Sequence, residues 1–380
     1  MLFVGEPVAP PMAAQIIAVP TTHQERVFSR LALGIPLRGG GSVARRRRRC
    51  ALDLLKHGFT KKGNVMKKGI NYDTGFLPGD QFSRKVFDAE TVRREMRVIA
   101  DDLHCQAIRV SGDDPARLSV AAQEAAEAGL EVWFAPFPVD LPDQDTLAFF
   151  TDCAERAEAV RRGGAEVVFV TGCEYTTFGH GYLPGDTYTE RMDAMMAGLT
   201  WLDSLNTTKG RFNAFLAESA ETVRSLFNGR ITYASGSWEF VDWAPFDLVG
   251  VDAYRTAYNA DTFVEEMRGH FKHGKPVVVT EFGTCAWRGA AEQGGAAMLV
   301  PEGAVPDEGE QVRYFEEMMD IFEKENVDAA FWFSFAGYAL QGAADIGSYG
   351  VVRMLDATRW EPKAVFHAMA TRHARGRAEA

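Results

Sequence analysis

The sequence predicts an α/β protein with a single-domain (β/α)8 (TIM) barrel. Three observations predict it. Eight short apolar runs recur between residues 66 and 376, each bounded by Gly, Pro, Asp or Ser. Each run is followed by a stretch with apolar residues at helical spacing. The runs are nearly continuous rather than alternating, as expected of parallel strands covered on both faces. The span also suits a barrel, which takes about 250 residues or more with insertions. A doubly wound open sheet is the rival. It calls for a glycine-rich phosphate turn after an early strand, and "NYDTGFLPG" is not one.

The strands are expected, in order, in "KKGINY" (67–72), "CQAIRVSG" (105–112), "LEVWFAPF" (130–137), "AEVVFVTG" (165–172), "GRITYASG" (229–236), "FDLVGVDAY" (246–254), "KPVVVTEFG" (275–283) and "DAAFWFSF" (328–335). Helices are expected between them. Over 88–103, Val92, Met96, Ile99 and Leu103 form one face, with Asp88 as N-cap and Phe87 against Val92 as a staple. The Ala-rich 115–129 ends on Gly129, a C-cap signal. Further helices are expected over 145–164, 188–205, 212–229, 260–274, 310–326 and 362–376.

Residues 1–65 are a different kind of sequence. They hold 11 Lys+Arg against 3 Asp+Glu, including the run Arg45 to Arg49, while the whole chain carries a formal charge of -11. They show no sustained apolar period and read as a disordered basic extension. A spurious upstream extension, with the native start at Met66, is a second reading, because organised sequence begins at once in "MKKGINY". The segment lacks the order of a secretory signal.

Composition narrows the function. The net acidity argues against nucleic acid as the main partner. No run of eighteen apolar residues supports a membrane span. Five cysteines with no CxxC pair suggest neither a disulfide scaffold nor a zinc ribbon, so the expected compartment is the cytoplasm.

In a barrel the chemistry sits at the C-terminal strand ends. Those ends here offer Asn71, Tyr72 and Asp73; Arg109, Ser111 and Asp113; Phe137 and Asp140; Glu174, Tyr175 and His180; Trp238 and Glu239; Asp252, Tyr254 and Arg255; Glu281 and Trp287; Trp332 and Ser334. None is a lysine for a Schiff base. No histidine lies on a strand, so no metal centre is expected. Glu281 and aromatics occupy the region after strands seven and eight, where a phosphate would otherwise bind.

Two glutamates remain, Glu174 after strand four and Glu281 after strand seven. Two carboxylates flanking one bond are the machinery of glycoside hydrolysis. Trp238, Tyr254, Trp287 and Trp332 could stack on sugar rings. Glu239 is a reserve acid.

"VVVTEFGT" and "WEPKAVFHAMA" resemble the retaining (β/α)8 glycoside hydrolases of clan A. The resemblance covers roughly residues 66–372. It implies Glu281 as nucleophile, Glu174 as acid/base, Tyr254 orienting the nucleophile, Arg109 beneath it, and Trp332 flooring the sugar site. It implies a small-molecule or oligosaccharide substrate; the proposed reaction needs no cofactor. "GINYDTGF", "GCEYTTFGHGYLPGD" and "DIGSYGVV" also resemble bacterial barrel proteins labelled abortive-infection proteins. The sequence departs from the clan at Cys173, where the resemblance implies an asparagine contacting the sugar 2-hydroxyl. That departure leaves open a non-catalytic barrel that binds a sugar or a protein, and a biosynthetic enzyme using the same acids on a non-sugar. Two long insertions, after strands four and seven, are expected to wall the site.

Overall fold

A computed structural model describes residues 65–77, 82–198 and 200–378. Of the expected basic extension only Val65 falls among them, and Cys50 lies outside. The eight expected strands all form: β1 (Lys67–Gly75), β2 (Ala107–Gly112), β3 (Glu131–Pro136), β4 (Val167–Cys173), β5 (Arg230–Ala234), β6 (Val249–Asp252), β7 (Val277–Phe282) and β8 (Ala329–Trp332). They are parallel and ordered β5-β4-β3-β2-β1-β8-β7-β6. A bridge from Ser235, just after β5, to Val251 of β6 joins the two ends. The Ser235 and Asp252 amides bond across that seam at 3.1 and 2.9 Å.

The near-continuous apolar character of the strands has a direct cause. Val168, Val170, Val278, Ala329 and Phe331 pack inside the barrel with Trp133 and Leu248. Their neighbours Val167, Phe169, Val277, Val279, Ala330 and Trp332 pack outward under the helices. Both faces are buried, so neither needs polar residues.

The outer layer comprises α1 (Ala89–Arg97), α2 (Pro115–Glu127), α3 (Asp143–Arg162), the short α4 (Tyr175–Phe178), α5 (Tyr188–Met196), α6 (Trp201–Arg224), α7 (Phe263–His270), α8 (Glu308–Lys324) and α9 (Ala364–Ala378). Asp88 caps α1 as expected, accepting from the Thr91 amide. Asp114 caps α2 with Pro115 in its first turn. Thr187 and Glu190 form a capping box on α5.

The pattern over 188–229 resolves differently from expectation. The first helix stops at Met196, and Gly198 takes φ +144°, a conformation other residues avoid. The second starts early, at Trp201. The polar stretch before 212 still winds as helix, its Thr207 and Thr208 hydroxyls donating to the Asp203 and Ser204 carbonyls one turn back. A small sheet of β9 (Ala336–Gln341), β10 (Val352–Met354) and β11 (Trp360–Pro362) was not legible in the sequence.

Two register shifts position the chemistry. Pairing of β4 with β5 steps from Val170↔Thr232 to Cys173↔Ala234, an extra residue on β4. Pairing of β7 with β8 steps from Val279↔Ala330 to Phe282↔Trp332, an extra residue on β7. A bulge re-aims the side chains that follow it. Cys173 thereby joins the barrel interior, and Glu281 turns toward Arg109 of β2.

Candidate active site

Glu281 accepts from Arg109 Nη1 at 2.5 Å on Oε1 and from the Tyr254 hydroxyl at 3.1 Å on Oε2. The Arg109 guanidinium is 1% exposed and Glu281 8%. A charge-assisted bond this deep is strong and geometrically selective. Arg109 is itself steered by Asn71, whose Oδ1 accepts from the same Nη1 at 3.0 Å. The Asn71 amide donates to the Thr280 carbonyl at 3.0 Å, tying β1 to β7 beneath the acid. Arg109 Nε and Nη2 are buried without a protein partner.

A third carboxylate stands beside this pair. Asp252, at the end of β6, accepts from the Thr280 hydroxyl at 2.7 Å and from Cys173 Sγ at 3.4 Å. Cys173 Sγ also lies 3.5 Å from Glu281 Oε1. Burial pushes the Cys173 thiol well up, so it stays a neutral donor. Donor atoms of Cys173, Asp252 and Glu281 lie within 4.8 Å of one another, close enough to consider a metal ion. Arg109 already supplies the positive charge there, and a cation would have to share Glu281 with a guanidinium fixed at 2.5 Å.

Glu174 follows the β4 bulge with a left-handed backbone, φ +43° and ψ +42°. Its side chain is half-buried. Burial raises its proton affinity well above the ordinary carboxylate range, and the charges of Asp252, Glu281 and Glu239 add to the effect, with Arg109 opposing. Asp252 is raised for similar reasons, burial first and Glu281 next. The site thus sets a carboxyl group that retains its proton near an acid held by a permanent cation. That contrast of environments is how paired acids divide acid and nucleophile roles.

The remaining expected residues fall in different places. Trp238 is half-buried and donates from Nε1 to the Thr176 hydroxyl at 3.2 Å, next to the turn that carries Glu174. Trp287 packs inside its own loop with Cys285, Ala290, Ala297 and Tyr349, its Nε1 bonded to the Ala297 carbonyl at 2.9 Å. Trp332 is fully buried between β8 and the helices, edge-on to Phe282 and Phe315. Neither of these two indoles is presented to a ligand in this conformation. For Trp332 the cause is strand alternation: Phe331 points into the barrel, so Trp332 points out. Phe333, one residue on, is the aromatic that rises on the Tyr254 side, in the same cluster as Tyr349. Counting side-chain parity along "AAFWFSF" would have found it. Glu239 turns out to bond directly to the turn after Glu174.

Two cavities lie away from this cluster. One, of about 540 Å³, is lined by Lys68, Glu316, Glu323, His367 and Arg372, among others, and the other, of about 200 Å³, by residues including Arg255, Thr256 and Glu292. No helix among the described residues is long and apolar enough to cross a membrane.

No protein-family model matches the chain, and no curated protein matches it. Solved structures do. A GH113 β-1,4-mannanase superposes with a TM-score of 0.56 at 16% identity, over 81% of this chain and 99% of that one. The GH113 β-mannanase of Alicyclobacillus acidocaldarius gives 0.55 at 16% identity, over 82% and 98%. A family 1 β-glucosidase from Thermotoga maritima gives 0.52 at 10% identity, over 82% and 98%. The chain is therefore similar in fold, over nearly the whole length of these proteins, to glycosidases built on the (β/α)8 barrel.

Proposed function

We propose that the chain is a glycoside hydrolase-like enzyme that cleaves a glycosidic bond with retention of configuration. The observation that carries this reading is the unequal pair of acids: Glu281 fixed by Arg109 and Tyr254, and half-buried Glu174 with a raised proton affinity. In the first step a Glu281 oxygen attacks the anomeric carbon while Glu174 gives its proton to the departing oxygen. In the second, Glu174 takes a proton from water, which attacks the same carbon and releases Glu281. Arg109 holds one oxygen of the Glu281 carboxylate and Tyr254 the other, and Asn71 holds Arg109. Trp238 on the Glu174 side, and Tyr254 with Phe333 on the other, are the rings placed to meet substrate. The named activities of the fold neighbours make β-linked mannosides and glucosides the first candidates.

A panel of aryl β-glycosides and β-linked oligosaccharides tests the reading. Turnover by the wild type, lost in both Glu174→Gln and Glu281→Gln, with the released sugar first seen in the β-configuration by NMR, supports it. An α-configured first product points to inversion.

A second reading, a barrel that binds a sugar without cleaving it, has one observation in its favour. The Cys173 thiol is turned onto Asp252 and Glu281, and a thiol is a weak donor for a sugar hydroxyl. Saturable sugar binding by calorimetry without turnover would establish that reading instead.

A further inference from the structure

The left-handed backbone at Glu174 is unfavourable for a residue with a Cβ. Such a conformation persists only where its surroundings over-determine it. Its surroundings here converge on one side chain. Glu239, in the loop after β5, accepts from the Thr176 amide at 3.0 Å and the Thr176 hydroxyl at 2.8 Å on Oε1. Its Oε2 accepts from the Gly236 amide at 3.1 Å. The Tyr233 hydroxyl donates to the same carboxylate at 2.8–2.9 Å and in turn accepts from the Tyr175 amide at 2.6 Å. The two amides that follow Glu174 are thus both secured by Glu239, one directly and one through Tyr233. These are orphan N–H groups of the short α4, which nothing within that helix can satisfy.

We propose that Glu239 is the positioning residue of Glu174: its carboxylate fixes the turn in which Glu174 takes its left-handed conformation and faces Glu281. The inference rests on the reading of Glu174 as the acid/base. It gives a role to an acid that the double displacement does not consume. Glu239 also acts through space. Its charge is one of those that raise the proton affinity of Glu174, while burial pushes its own carboxyl up to about 7 despite the bonds it accepts. The titratable group facing Glu239 from β5 is Tyr233, and from the end of β4 it is Glu174. Glu174 in turn faces Asp252, Glu281 and Arg109, and lies within the field of Cys173, Tyr188 and Tyr254.

The test is a carboxyl 13C NMR titration of Glu174 in wild type, Glu239→Gln and Glu239→Ala, with the signal assigned by its loss in Glu174→Gln. Amide hydrogen exchange is measured on the same proteins. In Glu239→Gln, which keeps the side chain's shape, the titration of Glu174 should shift to lower pH. Exchange at the Tyr175 and Thr176 amides should quicken about tenfold or more, with the β1 and β2 amides unchanged. An unaltered Glu174 titration with unaltered exchange at Tyr175 and Thr176 overturns the proposal. So does a loss of protection throughout the barrel, which would make Glu239 a general structural residue. Neither readout needs turnover, so failure of the glycosidase reading and failure of this one are separate results.

Discussion

At the scale of residues, Arg109 decides whether the centre can exist. It is the cation among Asp252, Glu281 and Glu174, and its raised proton affinity keeps it charged. Removing one member of a buried pair leaves its partner uncompensated. Arg109→Met should therefore destabilise the fold by about 3–5 kcal/mol in urea denaturation, and Arg109→Met/Glu281→Gln should recover part of that loss. Glu174→Gln should lower kcat about 10²–10⁴-fold, the range of a general acid–base group. Because Glu174 holds its proton above the ordinary carboxylate range, the alkaline limb of kcat/KM should lie above that range, and that limb should vanish in Glu174→Gln. Glu281 stands out in the sequence because a carboxylate closing an apolar strand has no cheap structural explanation, and Glu174 stands out only as its partner. The role of Asp252 was not legible there. It sits at an expected strand end, but its bonds to Thr280 and Cys173 come from two other strands. Trp332 misled for the opposite reason: its identity suggests a sugar platform, while the face it occupies is set by parity.

At the scale of elements, the bulges on β4 and β7 convert regular strands into holders of functional groups. Gly172 makes the β4 bulge possible at φ +90°. A Cβ there would find Phe150 at 3.5 Å, which is ordinary contact, so the objection to a side chain is conformational. Gly172→Ala should destabilise by about 1–2 kcal/mol and lower activity by displacing Cys173 and Glu174. Gly210 is the control. It lies inside α6 with no heavy atom within 4 Å of an added Cβ, so Gly210→Ala should stabilise by about 0.5–1 kcal/mol. Chemical denaturation of both variants checks the pair. The strands and most helices could be read from apolar spacing because each is buried on a continuous face. The bulges could not, because they are a relation between neighbouring strands. The β9–β10–β11 sheet eluded the reading for a related cause: its three-residue members β10 and β11 carry too little periodicity.

At the scale of the whole molecule, the eight strands that form the barrel begin at Lys67. We propose that the barrel folds without residues 1–65, in which case a chain starting at Met66 keeps the thermal transition of the full chain. Burial of several carboxyl groups also gives stability a pH dependence. Glu239 has a folded value of about 7 against an ordinary value near 4.5. Its stabilising contribution is complete below about pH 4.5 and is lost as pH rises through about 7. The Tm advantage of wild type over Glu239→Gln should accordingly be larger near about pH 5 than near about pH 8. Retaining hydrolysis by this protein requires Glu281 to attack an anomeric carbon. The most direct measurement incubates the protein with a panel of 2-deoxy-2-fluoro glycosides bearing good leaving groups, then locates any added mass by peptide mass spectrometry. One fluoroglycosyl adduct is expected, on the peptide containing Glu281, formed by the wild type and not by Glu281→Gln. No adduct and no turnover across every sugar tried, or an adduct on another residue, would contradict it.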